Sequence, residues 1–156
     1  MRRFYIQAAL VTSLLCAGGV SAEEAKSEKH AKTATHYRQS LFQLIRSNMG
    51  PLGGMAKGAI PYDAAVMEKN GMRLEQLATM MSDYFVVDTR KFDVDTSAKD
   101  KIWQEMGAFD AKAQDLVKAA QALQLAAKAG DEKAYRKAIG GVGATCKSCH
   151  DDYKAD

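Results

Sequence analysis

The pentapeptide Cys146-Lys147-Ser148-Cys149-His150, close to the end of the chain, has the C-x-x-C-H form of a c-type haem attachment site. Two thiols one helical turn apart each form a thioether with a haem vinyl group, and the adjacent histidine is placed to ligate the iron. Everything upstream must then wrap that cofactor. Two other chemistries use the same thiols. A redox C-x-x-C opens a helix in a thioredoxin-like βαβ setting, whereas this pair has no strand pattern near it. A structural zinc site needs four ligands, and the other histidines, His30 and His36, lie in or beside a polar N-terminal segment far away in sequence.

Working outward, residues 1–22 read as a secretory signal peptide. Arg2 and Arg3 form the positive start, Ala8 to Val20 the apolar run, and Val20-Ser21-Ala22 the small residues of a cleavage site, with cleavage expected after Ala22. The apolar run is short of the ~20 residues that a spanning helix needs. Leu15 is bulky where lipoprotein cleavage before Cys16 would want a small residue. Of the three cysteines, loss of Cys16 leaves only the two of the motif. An exported chain with no disulfide framework and its only thiols in C-x-x-C-H points to haem. Covalent haem attachment in bacteria is completed outside the cytoplasmic membrane, so the expected location is the periplasm.

The remaining residues, 23–156, suit one domain with one core. The formal charge of +3 falls to +1 without Arg2 and Arg3, and to about −1 with two ionised haem propionates. That balance gives no case for nucleic acid, or for a membrane after signal cleavage, as partner.

Residues 23–33 are charged and poor in large apolar side chains, and are expected to stay flexible; the folded body is then 34–156. Tyr37, Leu41, Leu44, Ile45, Asn48 and Leu52 recur at helical spacing and predict a first helix over about 34–57, with Thr33 or Thr35 as N-cap. Pro51 is expected to kink or stop it. Gly58 to Pro61 forms a turn. Met67, Gly71, Leu74, Ala78, Met81 and Phe85 lie along one stripe of a second helix, whose methionines read as core. Val86 to Thr96 lacks that pattern and reads as a long loop.

Ser97-Ala98-Lys99-Asp100 has the form of a capping box opening a third helix. Ile102, Met106, Phe109, Ala113, Leu116, Ala120, Leu123 and Ala127 then repeat in strict four-three alternation. Gly130 ends that helix, and Asp131 caps a fourth that runs from about Glu132 to the C-terminus. Gly140, Gly141 and Gly143 within it mean either close approach of a flat macrocycle to the backbone or a break between two shorter helices. No segment alternates with strand periodicity. Four helices joined by short links predict an all-α fold, an antiparallel four-helix bundle.

Several local sequences go further. They are Tyr37-Arg38-Gln39-Ser40 on the first helix, Lys57-Gly58 followed by Pro61-Tyr62-Asp63-Ala64-Ala65 at the next turn, Ile102-Trp103 on the third helix, and Val142-Gly143-Ala144-Thr145 leading into the Cys146 to His150 motif. With the leader and a C-terminal C-x-x-C-H, they resemble the cytochromes c′, the class II cytochromes c, over nearly all of the chain after the leader. The resemblance implies one covalently attached haem c per chain, held by Cys146 and Cys149, with His150 as proximal iron ligand.

It also implies that Arg38 and Gln39 contact the haem edge, an arginine near a propionate forming a charge-assisted pair. The plainer reading of Arg38 is a solvated helix face. Ser97 falls near a family position that touches the haem at the end of the loop before the third helix, with serine where some relatives have aspartate. Lys154, four residues after His150, stands where many relatives have arginine; it keeps the charge without the planar fork, or is simply a solvated lysine.

Phe42 falls where cytochromes c′ commonly have leucine and their low-spin relatives methionine. Phenylalanine has no lone pair to give iron, so the resemblance implies five-coordinate, high-spin iron behind a crowded distal face. Without a hydrogen-bond donor for dioxygen, the expected gas ligand is nitric oxide, with carbon monoxide binding weakly past Phe42. The expected function is periplasmic nitric oxide binding, with protection from it as a role. The alternative is a single-electron carrier with a redox partner protein, which a methionine ligand from Met49, Met55, Met67 or Met81 would favour. A peroxidase needs a distal acid-base residue; the first helix offers only Gln39, Gln43 and His36, so no enzyme activity is expected. Family relatives are often homodimers packed through the first two helices, and a homodimer is expected here.

Overall fold

A computed structural model describes residues 22–155. The signal peptide expected over 1–22 lies outside the described residues, apart from Ala22. Helix formation begins earlier than the apolar period suggests. Ser27, extended at φ −164°, accepts the His30 N–H on Oγ at 3.2 Å and opens α1, Glu28–Ala56. The expected caps Thr33 and Thr35 are therefore interior, and 23–33 is not loose: β1, Glu23–Glu24, pairs in parallel with β2, Val87–Asp88. Ala31 and Ala34 carry the buried face of this first stretch. Alanine is compatible with either a buried or an exposed surface, so a pattern of large apolar residues could not reveal it.

α1 runs through Pro51 to Ala56 instead of stopping there. Gly58, at φ +71°, then turns the chain in a left-handed conformation natural to glycine. Asp63 Oδ1 accepts the Val66 N–H at 3.0 Å and opens α2, Ala64–Thr79. The second helix is divided: α3, Met81–Phe85, follows after Met80. The Thr79 hydroxyl donates to the Gln76 carbonyl at 2.7 Å, a local back-bond that competes with the helix ladder.

The capping box expected at 97–100 does not form. Ser97 O accepts from Ala155 N at 2.8 Å and Lys99 N donates to Tyr153 O at 2.9 Å, so this segment is an extended strap against the C-terminus and Asp100 makes no side-chain cap. α4, Lys101–Gln104, is cut from α5, Met106–Ala129, by Glu105 at φ −131° and ψ 45°. The alternating stripe from Ile102 to Ala127 is buried along its length. Gly130 closes α5 at φ +67° and the Asp131 Oδ1 accepts the Lys133 N–H at 2.8 Å. α6, Glu132–Tyr153, is continuous through its three glycines, which removes the reading of two shorter helices.

α1, α2, α5 and α6 form a four-helix bundle in which α1 meets α2, α2 meets α5, α5 meets α6, and α6 returns to α1. Among the described residues no helix is long and apolar enough to cross a membrane. The α2–α5 crossing is close at Gly71, where an added Cβ would stand 2.9 Å from Gln124 Cγ and 3.3 Å from the Ala120 carbonyl oxygen. Gly71→Val is therefore expected to lower stability by about 1–3 kcal/mol, the ordinary cost of overpacking. Chemical denaturation of the haem-loaded protein measures this, and an unchanged midpoint would mean that the crossing gives way freely.

Candidate haem site

A cavity of about 660 Å³ opens between α1, α5 and α6, well within the range of about 300–1,000 Å³ typical of ligand pockets. Its walls are apolar, with Phe42, Ile45, Met81, Phe85, Phe109 and Leu116 among them. Cys146, Cys149 and His150 line it from α6. The two cysteines, three apart on a helix, fall on one face of it. Both are half-buried, and burial raises both thiols, Cys149 to about 11. That is opposite to what a disulfide catalyst needs, since its attacking thiol is held low by a helix N-terminus or neighbouring cations. Nor does a zinc set form: among the described residues no three His, Cys, Asp or Glu groups converge.

Arg38 is not on a solvated face. It is 3% exposed, and its Nε donates to the Tyr84 carbonyl at 2.9 Å, its Nη1 to Thr89 Oγ1 at 3.2 Å and its Nη2 to the Val87 carbonyl. The guanidinium also stacks near Phe85 and Trp103, 4.9 and 5.1 Å from their centroids. Burial lowers it to about 10, opposed by the field of Asp88, so it stays charged at neutral pH. Asp88 is itself engaged by Arg90 at 2.6 Å. Gln39 donates through Nε2 to the Asp95 carbonyl at 2.9 Å and so ties α1 to the loop. Arg38, Gln39 and Ser97 all line the cavity.

Lys154 also lines it, but from outside the helix. It is the C-cap of α6 in extended conformation, φ −111° and ψ 129°, so its i,i+4 relation to His150 on a shared helix face is lost. Its Nζ donates to the Ala155 carbonyl at 3.4 Å.

A family model described as Cytochrome C' matches residues 33–154. The chain belongs to the cytochrome c′ family. It is 40% identical over 147 residues to a cytochrome c′ of Cereibacter sphaeroides, covering 93% of this chain and 95% of the relative. Among solved structures, the cytochrome c prime of Shewanella frigidimarina is 37% identical with a TM-score of 0.72, over 81% of this chain and 97% of that one. The nitric oxide complex of a leucine-to-alanine mutant of cytochrome c prime from Alcaligenes xylosoxidans is 35% identical with a TM-score of 0.72, over 81% of this chain and 96% of that one.

As a cytochrome c′ the chain binds one covalently attached haem c, and the cavity fits it on its own evidence. The walls suit a flat apolar body. The charged lining residues are Arg38, Arg46, Lys112 and Lys154, with no carboxylate among them, which suits a group whose own edge is anionic. Two residues that sequence reasoning missed join the site. Lys112 on α5 donates to Ser148 Oγ at 2.6 Å and pairs with Asp152 at 2.9 Å, bracketing Cys149. Thr35 lines the cavity two turns before Phe42. Its place three residues before Arg38 and seven before Phe42, on one helical face, was the available signal. Of the four candidate methionine ligands, Met49 and Met81 line the cavity, while Met55 and Met67 are buried elsewhere in the core. Gln39 and Gln43 line it, and His36 is outside the lining set.

Proposed function

We propose that this cytochrome c′ is a periplasmic nitric oxide-binding protein in which Cys146 and Cys149 carry the haem, His150 ligates the iron, and Phe42 covers the opposite face. The observation that carries this reading is the position of Phe42. It lines the same cavity as His150 and packs edge-on to Phe85 at a centroid distance of 6.1 Å, and its ring carbons have no lone pair to offer an iron held by His150. Ferrous haem supplies the affinity for nitric oxide, which needs no hydrogen-bond donor, unlike dioxygen. The nitric oxide complex of the Alcaligenes xylosoxidans relative supports the same ligand. Carbon monoxide binds weakly because the Phe42 ring must move aside. Binding rather than catalysis is proposed: the α1 side of the cavity offers the amides Gln39 and Gln43, neither of which titrates as an acid-base catalyst must.

Arg38 meets a haem propionate, since among the described residues its buried charge has no carboxylate in contact and two of its five N–H groups remain after the three bonds to Tyr84, Thr89 and Val87. Gln39 and Ser97 border the same edge. Exposed Leu44 and Met80, 54% and 37% accessible, flank a groove between α1 and α2 and support a homodimer through that face, which light scattering of the purified protein tests. The leader supports export, which cell fractionation tests.

The alternative is a single-electron carrier, and Met49 and Met81 in the cavity lining are the observation in its favour. Optical spectra of the ferric and ferrous protein at neutral pH separate the two. Broad high-spin bands in both states, collapsing to a nitrosyl spectrum with nitric oxide, are expected. Sharp low-spin bands with a sulfur-to-iron charge-transfer feature would mean that a methionine has reached the iron, and would make electron transfer the function.

A further inference from the structure

Thr35 is 5% exposed, and its Oγ1 has no hydrogen-bond partner among the described residues. A helical threonine ordinarily donates to the carbonyl three or four residues back. Here the residue lines the haem cavity instead, and a buried hydroxyl left without a partner is unfavourable.

Position along α1 decides which acceptor it addresses. Thr35 precedes Arg38 by one turn and Phe42 by two, and at 1.5 Å per residue it lies about 10 Å along the axis from Phe42. That separation is too long for contact with a diatomic ligand beneath the Phe42 ring, whereas Arg38 is only one turn away on the same helix face. Arg38 already gives three N–H groups to Tyr84, Thr89 and Val87, keeps two more, and lines the same cavity. Two residues with a donor to spare thus lie one turn apart along a cavity whose lining, among the described residues, holds no carboxylate.

We propose that Thr35 is a cofactor-binding residue whose hydroxyl donates to the same haem carboxylate that Arg38 holds. The inference rests on the assignment of Arg38 to a propionate and is independent of the gas ligand. A donor to an ionised carboxylate favours its charged form and lowers its acidity constant on the pH scale. The other groups facing that edge are Gln39 from α1, Ser97 from the strap and Lys154 from the end of α6; Arg46, Lys112 and His150 line the cavity, and the Asp88–Arg90 pair stands behind Arg38. All are unchanged in a Thr35 variant.

The test uses the haem-loaded protein. The reduction potential is followed against pH, and the propionate bending band is recorded by resonance Raman spectroscopy, for Thr35→Val, Thr35→Ala and Thr35→Ser. The valine and alanine variants are expected to move the propionate-linked break in the potential up by about one pH unit, a tenfold change in acidity, and to shift the bending band. Serine, which keeps the hydroxyl, stays with the parent protein. If valine or alanine changes neither readout, or if serine changes both as they do, the hydroxyl does not reach the carboxylate and the proposal falls. Arg38→Gln, measured alongside, keeps the two assignments apart. A shift with Arg38→Gln but none with Thr35→Val or Thr35→Ala overturns the Thr35 contact alone, whereas no shift in any of them places the carboxylate elsewhere and overturns both.

Discussion

Replacing Cys146 and Cys149 together by serine is expected to give a chain that carries no covalent haem and has lost its fixed tertiary structure. The first effect is chemical, because a hydroxyl cannot take the place of the thiol in the thioether. The second follows from size. Engineered apolar cavities of roughly 150 Å³ stay dry within an intact core, whereas the space between α1, α5 and α6 is about 660 Å³. Without a covalently held occupant, water enters among Phe42, Ile45, Phe85, Phe109 and Leu116, and those side chains lose the contacts that order them. The bundle is expected to keep much of its helix while losing its near-ultraviolet circular dichroism, the signature of a molten globule. Haem staining after denaturing electrophoresis and near-ultraviolet circular dichroism measure the two effects. A double variant that retained haem through denaturation would show that attachment does not run through this pair.

Phe42→Ala is expected to raise the affinity of the ferrous protein for carbon monoxide by about ten- to a hundredfold. A ligand that must displace a packed ring bears a steric cost of the order found for overpacked cores, about 1–3 kcal/mol, and each 1.4 kcal/mol is a factor of ten. Phe42 is half-buried and held against Phe85, so truncation removes the obstruction without opening the centre of the bundle. Carbon monoxide titration of the reduced protein reads the change. An unaltered affinity would mean that the ring does not lie over the iron, and the argument for a vacant coordination position would go with it. Phe42→Met makes the complementary case: a thioether at that position is expected to turn the spectra low-spin and to slow nitric oxide uptake.

What could be read in advance follows the physics of each element. The α5 stripe is long, regular and built of side chains whose burial has one explanation, so Ile102 to Ala127 located a helix and its face directly. Asp131 and Gly130 marked a boundary because each does a job that few other residues do as well. The start of α1 was hidden because its buried positions are alanines between charges, and Ser27 looked like one polar residue among many. Ser97 to Asp100 misled for a different reason. The local signal for a cap was present, but the backbone of that segment is taken by Tyr153 and Ala155, more than fifty residues later, and no local rule contains that information.

In the site the motif residues were legible because their spacing is the chemistry. Arg38 was legible only as a choice between surface and haem edge; its burial depends on carbonyls of Tyr84 in α3 and Val87 in β2, 46 and 49 residues later in the chain. Threonine is common at helix starts, so the sequence offers Thr33 or Thr35 as the cap, and only the earlier start at Ser27 turns Thr35 into an interior residue with an unused hydroxyl.

The strap between 97–99 and the C-terminus has a consequence for the order of assembly. The cavity is walled by residues near the start of the chain, such as Arg38 and Phe42, and by residues at its very end, and it is fastened by backbone bonds to Tyr153 and Ala155. The contacts of α1 with α6 close the longest loops and bear the greatest entropic cost, so they form after the local helix pairs. The α5–α6 hairpin, joined by a short turn, can exist while α1 is still open. During that interval Cys146 and Cys149 on α6 are not yet covered by α1.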